Sequence, residues 1–200
     1  MVDYFALLDE PRRPWLHAEP LKEKFLTLSA SVHPDRVHNL SEAERAAAQE
    51  RYTELNAAYQ RLREPKERLH HLLELERGAM PKDIQRIPSE LMDLSLEIGQ
   101  ACREADGLLT EKTKASSPMI LVKLFQRSQD FTEKLQALRR RVVTLNERLN
   151  EELKQIDAAW QSGHESRATL LPRLEELYRL FSYFTRWDAQ IQERVVRLSF

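Results

Sequence analysis

The chain has 200 residues, 42 % of them hydrophobic, which is enough for one moderate core or two small ones. Its 31 basic and 32 acidic side chains nearly cancel and are interspersed, so no global field draws it onto nucleic acid or anionic lipid. A single cysteine, Cys102, excludes an intramolecular disulfide and an all-cysteine metal site.

Four helices are predicted in the first part of the chain. Helix-forming residues dominate the composition and only four glycines occur, so we expect an all-α fold. Capping residues and prolines mark the helix ends. Ser41 and Glu44 form an S-x-x-E capping box, the strongest of these start signals. The predicted helices begin at Asp3, Glu19, Ser41 and Lys66, and they end near Pro11, Val32, Pro65 and Glu76.

The second part of the chain predicts three longer helices after a break. Gly78, Pro81 and Pro88 interrupt helical continuity, which indicates a linker or tight joint over residues 77–87. Three apolar stripes follow, and none of them can be buried in isolation. Residues 88–200 are therefore expected to form an elongated antiparallel three-helix bundle. Its helices are predicted to begin at Ser89, to run in heptads from about Pro118 to Trp160, and to begin again near Pro172. The heptad stripe of the middle helix includes Leu121, Leu124 and Ile156.

The tripeptide His33-Pro34-Asp35 falls between the second and third predicted helices. If their apolar faces meet, the tripeptide lies at the exposed tip of a helical hairpin. With its surroundings it resembles the J-domain family over about residues 1–76. The matching features are Asp3-Tyr4-Phe5 and Leu7-Leu8 in the short first helix, the His-Pro-Asp loop, Leu55-Asn56, Ala58-Tyr59 and Leu62 in the third helix, Pro65, and Arg68.

Within that family the chain is similar to the HscB type, the co-chaperone of iron–sulfur cluster assembly. Asp3-Tyr4-Phe5 lies at the extreme N-terminus, and the second domain is helical without a glycine-rich segment or zinc-finger cysteines. The resemblance implies stimulation of a DnaK-class (HscA-type) ATPase and delivery of an iron–sulfur scaffold protein (IscU-type). It implies no catalytic residue, cofactor or metal, and we expect no nucleic-acid or membrane partner.

The resemblance also implies roles for particular residues. Asp35 would engage a basic residue of the ATPase, with His33 and Pro34 fixing its geometry. Lys22 and Lys24 in the second helix would supply the basic face, with Arg36 just past the loop. Fewer cations than usual imply weaker steering of an acidic partner.

A client-binding run is expected in the fifth helix, where Leu91-Met92-Asp93 is similar to that of the family. At about 100° per residue, Met92 and Leu96 point away from the core stripe, as an interaction surface requires. Leu180 and Phe181 are candidates to join them, although Phe181 also fits the core. The family's face continues with glutamates, but that direction here holds Gly99 and Arg103, which leaves open a one-residue shift or a different client.

Other patterns have simpler interpretations. His33, Asp35 and His38 could suggest a metal or acid–base site, but a chaperone contact fits their context better. His70-His71 is interpreted as solvated helix surface and Arg139-Arg140-Arg141 as a solvated face. Cys102 is expected to be a small buried hydrophobe. Two alternatives remain: a J-domain protein with another client or a structural bundle, and an enzyme.

The sequence also has no charged leader before an apolar run, and no apolar stretch of the roughly 20 residues that a span needs, so a cytoplasmic location is expected.

Overall fold

The computed structural model describes residues 2–37, 39, 41–79, 87–163 and 166–199, and within these ranges every regular element is an α-helix. The all-α prediction is therefore confirmed. The helices are α1 (Tyr4–Leu7), α2 (Ala18–Ser31), α3 (Pro34–Val37), α4 (Glu42–Arg63), α5 (Pro65–Arg77), α6 (Ser89–Lys114), α7 (Pro118–Ser162) and α8 (Arg167–Ser199).

Caps set the ends of α1, α4 and α5. The Asp3 carboxylate accepts from the backbone N–H of Phe5 at 3.0 Å, which satisfies a donor at the start of α1. At α4, the Glu44 carboxylate accepts from the Ser41 N–H at 2.9 Å, and the Ser41 hydroxyl accepts from the Glu44 N–H at 3.4 Å. This capping box is the predicted one. Gly78 ends α5 with a φ of 68°, where a residue without Cβ avoids strain.

The last helix begins earlier than predicted. It starts at Arg167 rather than near Pro172, which lies inside it. The Ser166 hydroxyl accepts from the Thr169 N–H at 3.3 Å and so caps the helix upstream of the proline. Pro172 lacks the N–H that would bond to the Ala168 carbonyl, and α8 continues past it without that bond.

The residues cluster into two compact units, and the first combines Met1–Lys82 with Asn150–Arg179. The sequence had placed residues 150–179 in the domain 88–200. They join this unit because Asp157 and Trp160 bond to the segment between α1 and α2. Most of the predicted linker, residues 80–86, lies outside the described residues. The core of this unit includes Phe5, Leu8, Leu21, Leu55, Leu62, Leu69, Leu72, Leu73, Leu153, Leu174 and Leu177.

The second unit, Asp83–Leu149 with Leu180–Phe200, is a three-helix bundle. A ladder of three ion pairs joins α6 to α7: Glu97–Arg141 at 2.5 Å, Glu104–Lys134 at 2.8 Å and Glu111–Arg127 at 2.6 Å. Each step is seven residues forward in α6 and seven back in α7, which is the antiparallel heptad register. The pair of Asp106 and Arg194 at 2.9 Å joins α6 to α8.

Candidate functional site

The tripeptide His33-Pro34-Asp35 lies where the chain turns from α2 to α4. The ring of Phe25 in α2 stacks on that of Tyr59 in α4, with centroids 4.6 Å apart. Nearer the turn, His33 meets Tyr52 at 5.6 Å. The residue numbers of these contacts rise along the first segment, from 25 to 33, while they fall along α4, from 59 to 52. The two segments therefore pack antiparallel. Instead of a loop, Pro34 and Asp35 open the short helix α3.

Asp35 presents its carboxylate to solvent. Its side chain is 90 % exposed, and one carboxylate oxygen lies 3.6 Å from Nδ1 of His33. The Asp35 backbone N–H donates to that same Nδ1 at 3.3 Å, so the imidazole acts as a cap on the turn. His33 therefore fixes the backbone that carries the charge, while the charge itself stays accessible.

The predicted cations near the tripeptide have different surroundings. The Lys24 ammonium lies 2.8 Å from a carboxylate oxygen of Glu10 and donates to the Asp9 carbonyl at 2.9 Å, so its charge is largely used within the chain. The Arg36 guanidinium donates to the Ala30 carbonyl at 3.4 Å and so lies along α2. Lys22 is exposed on the same helix.

The residues predicted for the client surface differ in how exposed they are. Met92 and Leu96 are 43 % and 63 % exposed, which is unusual for large apolar side chains. Leu91 and Leu180 are half-buried. Phe181 is only 3 % exposed and belongs to the bundle core. It is therefore a core residue and not part of an exposed client surface.

Cations flank this part of α6. A Cβ added at Gly99 would meet the guanidinium of Arg103 at 3.5 Å, so that charge lies over the helix beside the Met92 and Leu96 direction. A groove of about 770 Å³ between α6 and α7 carries charges of both signs, since Glu90 and Asp93 line it together with Arg140 and Arg148. The departure from the resemblance is therefore local: a cation, Arg103, lies in the direction where glutamates were implied.

Comparisons with known proteins agree with the predicted fold. No family model matches the sequence. The chain is similar to chaperone HscB from Vibrio cholerae at 20 % identity and a TM-score of 0.58, over 96 % of both chains. It is also similar to human co-chaperone protein HscB at 20 % identity and a TM-score of 0.57, over 98 % of this chain and 81 % of that one. The chain has the HscB fold.

The first unit also contains a buried charge cluster that sequence reasoning missed, where α5 and α7 meet the segment before α2. The guanidinium of Arg68 is almost fully buried and donates to the carbonyls of Pro14 and Leu62, each at 2.7 Å. Burial lowers the pKa of Arg68 to about 10, although the Asp157 charge opposes this. Asp157 accepts from Nε of Arg13 at 3.0 Å and from the Trp15 N–H at 3.1 Å. These bonds attach the segment before α2 to α5 and α7.

His70 and His71 are buried, not solvated as predicted. Nε2 of His71 accepts from the Tyr4 backbone N–H at 3.0 Å, which satisfies a donor at the start of α1. Nδ1 of His70 lies 3.0 Å from the Arg61 guanidinium, and its ring meets that of Tyr178 at 5.5 Å. Burial lowers the pKa of both imidazoles. They are structural members of the unit.

The described residues contain no group of three or more histidine, cysteine, aspartate or glutamate side chains placed to hold a metal ion. His38, which the sequence had suggested beside His33 and Asp35, lies outside them.

Cys102 is buried as predicted, and burial raises the pKa of its thiol. Arg139 and Arg141 of the basic triplet pair with Asp188 and Glu97. The described helices include none that is long and apolar enough to cross a membrane.

Proposed function

We propose that this chain is a non-enzymatic J-domain co-chaperone of the HscB type, which stimulates a DnaK-class ATPase of the HscA type and delivers an iron–sulfur scaffold protein to it. The observation that carries the proposal is the Asp35 carboxylate, exposed at the turn between two antiparallel packed helices. Function is argued from this site, because a fold by itself hosts many functions.

The tip geometry suits recognition by charge. A carboxylate held outward on a braced turn can form a charge-assisted hydrogen bond with a cation of the ATPase at little cost in conformational entropy. His33 supplies the brace, since it accepts from the Asp35 N–H and packs against Tyr52. The role proposed for Pro34 is to hold the turn through its fixed φ.

The exposed side of α2 provides a second contact with the ATPase. Lys22 and Arg36 carry the positive charge that steers an acidic partner, while Lys24 contributes less because Glu10 neutralises it. Leu26 is one helical turn from Lys22 and is 53 % exposed, so it adds an apolar contact. The partner surface is therefore expected to be acidic, with an apolar side chain placed to contact Leu26.

The client surface is proposed on α6. Met92 and Leu96 form its exposed apolar centre, and half-buried Leu91 and Leu180 add to it. Exposed apolar side chains one turn apart on a rigid helix suit an apolar patch on a scaffold protein. Phe181 is left out of this surface because it is buried.

A specific observation favours a second candidate function, delivery of a different client. The Arg103 guanidinium covers Gly99 in the direction where the resemblance implies glutamates, while the neighbouring groove carries Glu90 and Asp93 as well as arginines. A basic client patch would meet repulsion from Arg103, whereas an acidic one would be attracted. In this version the ATPase contact is unchanged and the delivered protein differs.

The test is a reconstituted assay with the full chain, a DnaK-class ATPase and an iron–sulfur scaffold protein. Wild type is expected to raise the rate of ATP hydrolysis and to bind the scaffold, whereas Asp35→Asn is expected to bind the scaffold without raising the rate. Stimulation without scaffold binding would favour the second candidate. Unchanged stimulation by Asp35→Asn would refute the proposal.

A further inference from the structure

The first turns of α7 expose an unusual run of apolar side chains. Met119, Ile120, Leu121, Val122 and Phe125 are each between 43 % and 71 % exposed. Leu121 had been predicted to lie in the heptad stripe, but the first position of that stripe that is buried is Leu124. Contiguous apolar surface of this kind marks an interaction site on a soluble domain.

The arrangement of these side chains restricts what can cover them. Consecutive helical residues point about 100° apart, so Met119 to Val122 surround the whole circumference of the helix. A flat protein surface would contact one side of the helix and leave the other side in water. A medium that surrounds the tip, such as the boundary between lipid headgroups and acyl chains, would cover all four residues.

Charge restricts the occupant further. Residues 112–129 contain four cations, Lys112, Lys114, Lys123 and Arg127, and no acidic residue. Glu111 neutralises Arg127 at 2.6 Å, while Lys114 and Lys123 are exposed beside the apolar run. A second copy docked tip to tip would bring like charges together. An anionic lipid surface would complement them.

We propose that the tip formed by the end of α6 and the start of α7 binds anionic membrane surfaces. The apolar side chains of residues 119–122 and 125 enter the headgroup boundary, and Lys114 and Lys123 contact lipid phosphates. This is interfacial binding and needs no spanning helix. It departs from the expectation of no membrane partner, which rested on the balanced charge of the whole chain. Salt screens charges over about 8 to 10 Å. A lipid surface at the tip therefore interacts with the cations of the tip, and the acidic residues farther along the chain are screened from it.

The proposal goes beyond the co-chaperone function and does not depend on it. The test is co-sedimentation of the full chain with vesicles of phosphatidylcholine alone or mixed with phosphatidylglycerol. We expect binding to the mixed vesicles that decreases at high ionic strength, and little binding to phosphatidylcholine. Lys114→Gln with Lys123→Gln is expected to weaken the partition coefficient by about fivefold per lysine, since each cation near an anionic surface adds comparable binding.

A matched pair of variants isolates the apolar run. Met119→Asp with Val122→Asp is expected to reduce binding to mixed vesicles by about tenfold or more, since it removes the inserted side chains. Val143→Asp with Thr144→Asp adds the same charge at exposed positions of α7 and is expected to bind within about twofold of wild type, because both positions lie roughly 27 Å or more along the helix from Phe125, at about 1.5 Å per residue, beyond the screened field of the tip. Thermal unfolding establishes that each variant is folded.

Three results would overturn the proposal. The first is no wild-type binding to phosphatidylglycerol vesicles at low ionic strength. The second is an equal loss of binding in both aspartate variants. The third is a wild type that sediments as a dimer without vesicles and becomes monomeric in Met119→Asp with Val122→Asp, because the run would then be a contact between copies.

Discussion

The imidazole of His33 stands edge-on to the ring of Tyr52, with centroids 5.6 Å apart and an interplanar angle of 89°. This T-shaped contact joins the turn that carries Asp35 to the side of α4. Aromatic pairs in this geometry contribute about 0.5–1.5 kcal/mol beyond the area they bury. Tyr52 is therefore expected to position His33, although it does not itself present a charge to the partner.

Tyr52→Ala is expected to lower ATPase stimulation several-fold at limiting concentration, because His33 loses the ring that orients it. Tyr52→Phe keeps the ring and is the matched control, with stimulation expected near that of wild type. The measurement is the concentration dependence of ATPase stimulation. A loss of stimulation at limiting concentration in Tyr52→Phe equal to that in Tyr52→Ala would show that the hydroxyl matters and the edge-on contact does not.

Asp157→Asn is expected to destabilise the chain strongly. Asp157 is buried and bonded to Arg13 and Trp15, so neutralising it leaves buried cations uncompensated, which costs about 3–5 kcal/mol of unfolding free energy. Asp188→Asn is the control, since its pair with Arg139 is partly exposed and such pairs contribute about 0–1 kcal/mol. Urea unfolding of both variants tests this, and equal losses would contradict it.

Stability is expected to fall as the pH drops below about 6.5, the usual pKa of an unfolded histidine. Burial lowers the pKa of His70 and His71 in the folded state, so the unfolded chain binds more protons in this range and the free energy of unfolding decreases. Protonating His71 would also set an N–H against the Tyr4 N–H that it now accepts from.

His71→Gln isolates this contribution, because it retains an acceptor without a titrating ring. Urea unfolding at about pH 7.5 and pH 5.5 should show a smaller loss of stability in the variant than in wild type. Identical losses in both proteins would mean that the buried His71 is not responsible.

Replacing Met92 and Leu96 by alanine is expected to weaken scaffold binding with little effect on stability, as for exposed positions in general. Val143→Ala with Val196→Ala removes similarly exposed apolar groups from the same unit and serves as control. Calorimetric titration gives the affinities and thermal unfolding the stabilities. A melting temperature lowered by many degrees in the Met92 and Leu96 variant would instead assign these side chains to packing.

Helix caps, which depend only on residues close together in the sequence, were largely predictable from local signals. The Asp3 cap and the Ser41–Glu44 box lie within a single helical turn, and both were predicted correctly. Pro172 was misleading because a proline usually marks the first helical turn, whereas here the Ser166 cap starts the helix upstream of it.

Features that depend on distant partners were not predicted. The heptad pattern favoured Ile156 as a core residue, yet it is Asp157 that is buried, because Arg13, 144 residues away, pairs with it. His70 and His71 resemble surface residues until the Tyr4 N–H and the Tyr178 ring are placed beside them. Helical periodicity identifies a face, but it does not identify the group that faces it.

The most direct test of the co-chaperone account is the single-turnover rate of ATP hydrolysis by a DnaK-class ATPase with Asp35→Asn, compared with Glu42→Gln. Both variants neutralise one exposed carboxylate on neighbouring elements of the same unit. The account predicts that Asp35→Asn loses stimulation while Glu42→Gln retains it. Full stimulation by Asp35→Asn, or an equal loss in both variants, would contradict it.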